Sequence, residues 1–317
     1  MTTLDAIRLA GLPWSATTAR ADDPAIVSDV SMCVLASSSS GNCTALRWRE
    51  NGSVRVCLLD AGLSPRKTRN WLRGVGTNLA QVRSILLTHL DRDHCHVGWT
   101  GGRIPGHITV RLHGRHLSRA EEEGLHHHPI VAFNDRIELS PAVRVRTVMM
   151  SHDRLGVAAF RFDFSSPGGV VSLGFATDLG HVTDDLVECL SGVNVLAIES
   201  NYCPMLQAAS DRPAFLKRRI TGGRGHLSNH ECFAAIERIA PRGHVVLLHL
   251  SRQCNRPELV SELHAGSGYS VTIARHDRPT GWVNVGTADP VVSADLHPVV
   301  VPGLDRSDPQ RKSMVPR

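Results

Sequence analysis

The stretch "SILLTHLDRDHCHVGWTGG", residues 84–102, sets three histidines and two aspartates among the eight positions from His89 to His96. It opens on a short apolar run, "SILLT", of the length and composition of a buried strand. His89 closes that run, so the reactive cluster begins where a strand ends. Loops at strand ends are where rigid scaffolds present reactive groups. In an extended loop, residues two apart point the same way, which lets His89 and Asp91 share one ion. Asp93 and His94 follow where the chain turns, and they can face a second ion.

Reading outward, the same ending recurs. "VRTVMMS" ends at His152, "SLGFAT" at Asp178 and "VVLL" at His249. One strand-end histidine is more often a satisfied polar residue than a ligand; four such endings beside the opening cluster argue for metal. His152 would complete the first site and His249 the second. Two close divalent ions need a shared ligand, and Asp178 is the carboxylate placed to bridge them. Each ion then has about four protein ligands, with room left for water. His96 and the run His126-His127-His128 lack this spacing and read as surface loop residues.

Further runs, "SMCVLAS", "RVCLLDAG", "HITVRLH", "VAAFRFDF" and "VLAIES", also read as strands bounded by turn residues. Helical stretches interleave with them. "SPRKTRNWLRGV" starts on Ser64-Pro65, and "SNHECFAAIERIA" carries Ser228 with Glu231 three residues on, a capping box. Many runs are apolar on both faces, so the fold class is α/β with buried sheets covered by helices. Residues 1–29 read as a poorly ordered lead-in, 30–275 as the folded domain, and 276–317 as a partly disordered extension.

Composition narrows the class. The 317 residues are 42% hydrophobic and 21% charged, ordinary for a globular chain. No run approaches the roughly 18 apolar residues of a membrane span, and the N-terminus has no secretion-signal pattern. A cytoplasmic protein with no membrane association is expected. Eight cysteines without a CxxC pair argue against a disulfide scaffold. Cys33, Cys43, Cys57 and Cys189 read as small apolar residues, while Cys95, inside the opening motif, stays open. The net charge of +5 is compatible with a polyanionic partner.

His89-x-Asp91-x-Asp93-His94 with His152, Asp178 and His249 resembles the ligand set of the metallo-β-lactamase superfamily. "SSSSGNCTALR", "CLLDAGLSPRKTRNWL", "SHDRLGV", "ATDLGHVTDDL", "IESNYCP", "LKRRITGGRGHLSN" and "LLHLSRQCN" are similar, in the same order, to the WalJ/YycJ branch. The likeness runs over about residues 31–260. It implies an αββα sandwich with a two-metal site at one edge of the sheets, and 5′→3′ exonuclease activity on DNA. It also implies kinship with RNase Z-type nucleases, in which a histidine assists the leaving group; "GHLSN" puts His226 at that place. The usual motif is HxHxDH, and Asp91 departs from it. Asp91, Asp93 and Asp178 then give one more negative ligand than usual, which moves preference from zinc towards manganese or iron.

The resulting expectation is a phosphodiesterase with two divalent ions (Zn, Mn or Fe) acting on DNA or RNA. Asp93 would orient the attacking water and His226 would protonate the leaving oxygen. Asp153 and Glu199 would fix ligand tautomers. Lys217, Arg218, Arg219 and Arg224, just before His226, would hold phosphates. Ser40 and Asn42 in "SSSSGN" offer a phosphate turn, or simply a tight turn between strands. Two alternatives stand beside this: hydrolysis of a small ester, thioester, β-lactam or cyclic phosphodiester, and metal binding without turnover.

Overall fold

A computed structural model describes residues 7–9 and 25–286. Among them the chain builds two mixed sheets, one from each half. The first holds β1 (Ile7–Leu9), β2 (Val27–Ala36), β3 (Cys43–Glu50), β4 (Ser53–Leu59), β5 (Val82–Leu86), β6 (Thr109–His113), β7 (Ile130–Phe133) and β15 (Val283–Asn284). Its order is β1-β7-β6-β5-β4-β3-β2-β15. The second holds β8 (Arg136–Ser140), β9 (Val143–Met150), β10 (Val157–Ser166), β11 (Gly169–Ala176), β12 (Val195–Glu199), β13 (His244–Leu248) and β14 (Ser270–Ile273), ordered β14-β13-β12-β11-β10-β9-β8. In each sheet a parallel block meets an antiparallel one.

The period-2 pattern of the strands decides the layering. Along β10, Phe160, Phe162 and Phe164 point into the core between the sheets, while Val157 and Ala159 point outward to the helices. Along β2, Met32 and Val34 face inward and Cys33 and Leu35 outward. The outer faces are covered by α1 (Pro65–Gly74) on the first sheet and by α3 (Asp184–Leu190) and α4 (Asn229–Ile239) on the second. Helix α4 buries Cys232, Ala235, Ile236 and Ile239, the i, i+3, i+4, i+7 stripe of a helix laid on a sheet. Its capping box forms as the sequence indicated: Ser228 Oγ accepts from Glu231 N, and Glu231 accepts from Ser228 N at 2.7 Å. Ser64 caps α1 by accepting from Lys67 N, with Pro65 in the first turn. This is the αββα arrangement expected.

Each apolar run read as a strand lies in one. The sandwich also reaches past the expected limits of 30 and 275. β2 starts at Val27, and β15 pairs antiparallel with β2 through Val283–Met32. Thr280 N donates to Val34 O at 2.9 Å, and Trp282 Nε1 donates to Val75 O at 2.8 Å, so residues just after 275 belong to the first sheet. Ile7–Leu9 pairs parallel with Ile130–Ala132, inside the segment expected as a lead-in. Residues 1–6, 10–24 and 287–317 lie outside the described residues. Among the described residues no helix is long and apolar enough to cross a membrane.

Candidate metal centre

The ends of β4, β5, β9, β11, β12 and β13 converge on one edge of the sandwich, and each strand ends on or is closely followed by a side chain with metal-type donors: Asp60, His89, His152, Asp178, Glu199 and His249. Asp60, Asp178 and His249, just past the ends of β4, β11 and β13, have left-handed backbone with φ of 62°, 53° and 54°. Non-glycine residues seldom adopt this region, and it concentrates where function over-determines the backbone.

The sequence-predicted ligands fall into two groups. His89 Nε2 lies 3.8 Å from Asp91 Oδ2, and His152 Nε2 lies 4.0 Å from the same oxygen. Asp93 Oδ2 lies 3.6 Å from His94 Nε2 and 3.4 Å from His249 Nε2. Asp178 Oδ2 sits between them, 2.5 Å from His94 Nε2 and 4.0 Å from His89 Nε2. Beyond that imidazole, this buried oxygen has no hydrogen-bond partner among the described residues. A buried carboxylate oxygen without one is costly unless a cation meets it. The donor set therefore fits divalent ions: imidazole nitrogens and carboxylate oxygens in clusters whose atoms lie within 4.8 Å of one another.

Several ligand-type rings are held from behind. His94 Nδ1 meets Asp60 Oδ2 at 2.7 Å, and Asp60 in turn accepts from Thr88 N and Oγ1. His152 Nδ1 donates to Gly225 O at 3.1 Å. His89 Nδ1 lies 2.9 Å from Thr88 Oγ1. Such partners fix which nitrogen faces the ion. Burial pushes His89 well below the usual histidine range, with His94 adding to it. For His94 and His249 burial also opposes the charged form, but neighbouring carboxylates outweigh it. His94 is held well above the usual range by Asp178 and Asp60, and His249 is raised to about 9 by Asp178, Asp93 and Glu199.

His226 joins a third group. Its Nδ1 is 3.2 Å from Asp178 Oδ1 and 3.2 Å from Glu199 Oε2. Burial disfavours its charge, yet Glu199 and Asp178 raise its pKa to about 10. Glu199 is fully buried and accepts backbone N–H groups from Asp178, Leu179 and Leu227, tying two loops to the end of β12. The imidazole of His226 is 20% exposed, and with Asp91 and Asp93 it marks the open side of the cluster.

Other expectations are corrected. Asp153 does not orient His152: its Oδ1 caps a turn by accepting from Leu155 N and Gly156 N, and its Oδ2 faces Arg119. Asn42 is buried, with its amide bonded to Ser38, Asp93 and His94, so it floors the site instead of meeting substrate. Ser40 is exposed and pairs its hydroxyl with Ser38 Oγ at 2.8 Å. Lys217 Nζ donates to Ala208 O at 2.7 Å and so braces its own segment, whereas Arg218, Arg219 and Arg224 are exposed and have no ion pair among the described residues. His126 and His127 are exposed as expected, but His128 is buried and bonds to Ile108 O. Cys95 is buried like the other seven free thiols, and burial pushes it up to about 12. Asp60, Thr88, Asn201 and Arg119 went unassigned in the sequence. Asp60 closes "RVCLLD" with the same strand-end signal that marked the ligands.

Residues 55–250 match the beta-lactamase superfamily domain, and the chain belongs to that superfamily. It is 26% identical over 249 residues to exodeoxyribonuclease YycJ of Bacillus anthracis, covering 75% of this chain and 90% of that one. It is 27% identical over 236 residues to exodeoxyribonuclease WalJ of Streptococcus pneumoniae, covering 71% and 83%. The short form of human tRNase Z superposes with a TM-score of 0.55 at 14% identity, over 79% of this chain and 98% of that one, a likeness of fold.

Proposed function

We propose that the protein is a cytoplasmic, metal-dependent phosphodiesterase that removes nucleotides from a nucleic-acid end, with DNA as the substrate its relatives' activity favours. One observation carries this: the His89–Asp91–His152 and Asp93–His94–His249 clusters lie on either side of Asp178, whose Oδ2 faces both His89 and His94, and a histidine held by Asp178 and Glu199, His226, stands on their open side. His89, Asp91 and His152 would hold one ion, Asp93, His94 and His249 the other, with Asp178 common to both. Zinc, manganese or iron there would supply a nucleophilic water near neutral pH and offset charge on phosphoryl oxygens.

The chain's own groups do the rest. Asp93, a quarter exposed, borders the opening and can orient the attacking water. With Nδ1 of His226 held by the two carboxylates, Nε2 is the ring nitrogen turned to a leaving oxygen, and the same carboxylates keep the ring protonated for that transfer. Arg218, Arg219 and Arg224 lie on the segment that ends at His226, where free guanidinium groups can hold backbone phosphates. Eight buried free thiols suit a reducing compartment.

The test is nuclease activity of metal-stripped protein on end-labelled single- and double-stranded DNA and RNA, with manganese, zinc or iron restored in turn. Stepwise 5′ shortening that needs metal and Asp178, and slows in His226→Ala, is the expected result. Two ions bound per chain with no cleavage of any nucleic acid would overturn the proposal.

A further inference from the structure

Asp91 stands where the usual motif carries a histidine, and it has a cation against it. Arg119, on α2 (Leu117–Glu122), places Nη1 3.0 Å from Asp91 Oδ1 and 3.4 Å from Asp153 Oδ2. Its Nε is 2.8 Å from Glu123 Oε1, and its Nη2 donates to Leu90 O at 2.9 Å. The guanidinium is therefore held by α2, by the turn after β9 and by the metal loop itself. Asp91 divides its two oxygens: Oδ1 faces Arg119, while Oδ2 is turned to His89 Nε2 and His152 Nε2.

This division answers both difficulties that Asp91 introduces. An aspartate in place of neutral histidine adds a negative charge to a site already holding Asp93 and Asp178, and one fixed guanidinium offsets it. A free carboxylate also rotates and can bind through either oxygen or both, unlike an imidazole, which offers one atom along a set direction. Arg119 occupies Oδ1 through Nη1 alone, while its Nε and Nη2, bonded to Glu123 and Leu90 O, fix where that nitrogen sits, which a lysine point charge does poorly.

We propose that Arg119 is a positioning residue that adapts Asp91 to the first cluster, neutralising its added charge and limiting it to a single ligand oxygen. This rests on the reading that the clusters hold divalent ions. At these exposures, 27% and 32%, the ion pair itself contributes little to folding stability, so its effect is felt in the ion's binding.

A double-mutant cycle tests it without nucleic acid. Metal-stripped wild type, Arg119→Met, Asp91→His and the double variant are titrated with zinc and with manganese, and ions bound per chain are counted. Arg119→Met alone should weaken one of the two ions about 10–100-fold, the usual cost of losing a group that orients a ligand. In the Asp91→His background the same change should shift affinity by less than about threefold, since the pair it served is gone. Arg119→Lys, which keeps the charge and loses the fork, should fall between, and it covers the case in which Arg119→Met folds poorly. Equal loss in both backgrounds would make Arg119 a mere brace of the loop and overturn the proposal, as would no loss in either. Wild-type protein that binds no divalent ion would remove the metal reading itself, and this inference with it.

Discussion

His94 Nδ1 lies 2.7 Å from Asp60 Oδ2, and both side chains are buried. That contact turns the other ring nitrogen toward Asp93 and Asp178, where the second cluster gathers. Asp60→Asn keeps the volume and tolerates the left-handed φ of 62° at this position, but it removes the charge that orients the ring. Affinity for the second ion should fall about 10–100-fold, with the first ion less affected. Calorimetric titration of metal-stripped protein separates the two; unchanged affinity at both would count against the assignment.

The metal-free chain should carry protons where the ions belong. Burial disfavours charge on His94 and His249, yet the surrounding carboxylates hold both above the usual range, His249 at about 9. Imidazole binds metal only when neutral, so loading at pH 8 should release about two protons per chain. An indicator dye in weak buffer reads this directly. Uptake of two ions with no proton release would show that the rings are neutral beforehand.

The same groups set a pH dependence of stability. A histidine whose folded pKa exceeds its unfolded value stabilises fully below the unfolded value, about 6.5, and loses that contribution as pH rises through the folded one. For His249 and His226 the loss runs towards about 9 and about 10. His89, shifted the other way by burial, acts below the window, where acid would protonate it on unfolding. Metal-free protein should therefore melt at progressively lower temperature from pH 7 to pH 10. The metal-loaded form should change less, and equal slopes would refute the attribution.

What was legible from the chain follows from how local each signal is. His89, His152, Asp178 and His249 each close an apolar run, and periodicity within the run locates a strand end without tertiary knowledge. The pairing of those ends was legible only as a set. Strand β3, "CTALRWRE", was missed because Arg47 and Arg49 interrupt its apolar character, although the strand lies inside the sheet between β4 and β2. Arg119 gives no signal, being an ordinary helical arginine 28 positions from Asp91 that the fold alone brings to 3.0 Å. Asn42 and Lys217 misled because a polar residue in a turn or a basic run looks the same whether it faces solvent or bonds to its own backbone.

His226→Ala should separate chemistry from metal binding. His226 borders Asp178 and Glu199 but belongs to neither of the two ion clusters, so two ions per chain should remain. Loss of a general acid lowers turnover about 10²–10⁴-fold. The rate on DNA should fall by that order while metal content and substrate affinity stay near wild type. Loss of an ion along with the rate would reassign His226 as a ligand.

Gly62 shows how tightly the backbone itself shapes the site. A Cβ there would lie 1.7 Å from Asp93 O and 2.6 Å from Asn42 N, both main-chain atoms that cannot swing aside. The close approach is held by hydrogen bonds from Asn42 N to Asp93 O at 2.7 Å and from Gly62 N to Asn42 O at 2.8 Å. Gly62→Ala must therefore displace the segment that carries Asp93 and His94, breaking buried backbone hydrogen bonds at roughly 1–3 kcal/mol for each group left unpaired. The variant should melt lower than wild type and lose the second ion first, because Asp93 and His94 both belong to that cluster. The first cluster takes His89 and Asp91 from the near side of the loop and His152 from the turn after β9, so it should retain its ion longer. Metal counts and melting curves on the same preparation decide it: lowered stability with both ions retained would mean that the loop re-forms around the added methyl, and that Gly62 serves packing alone.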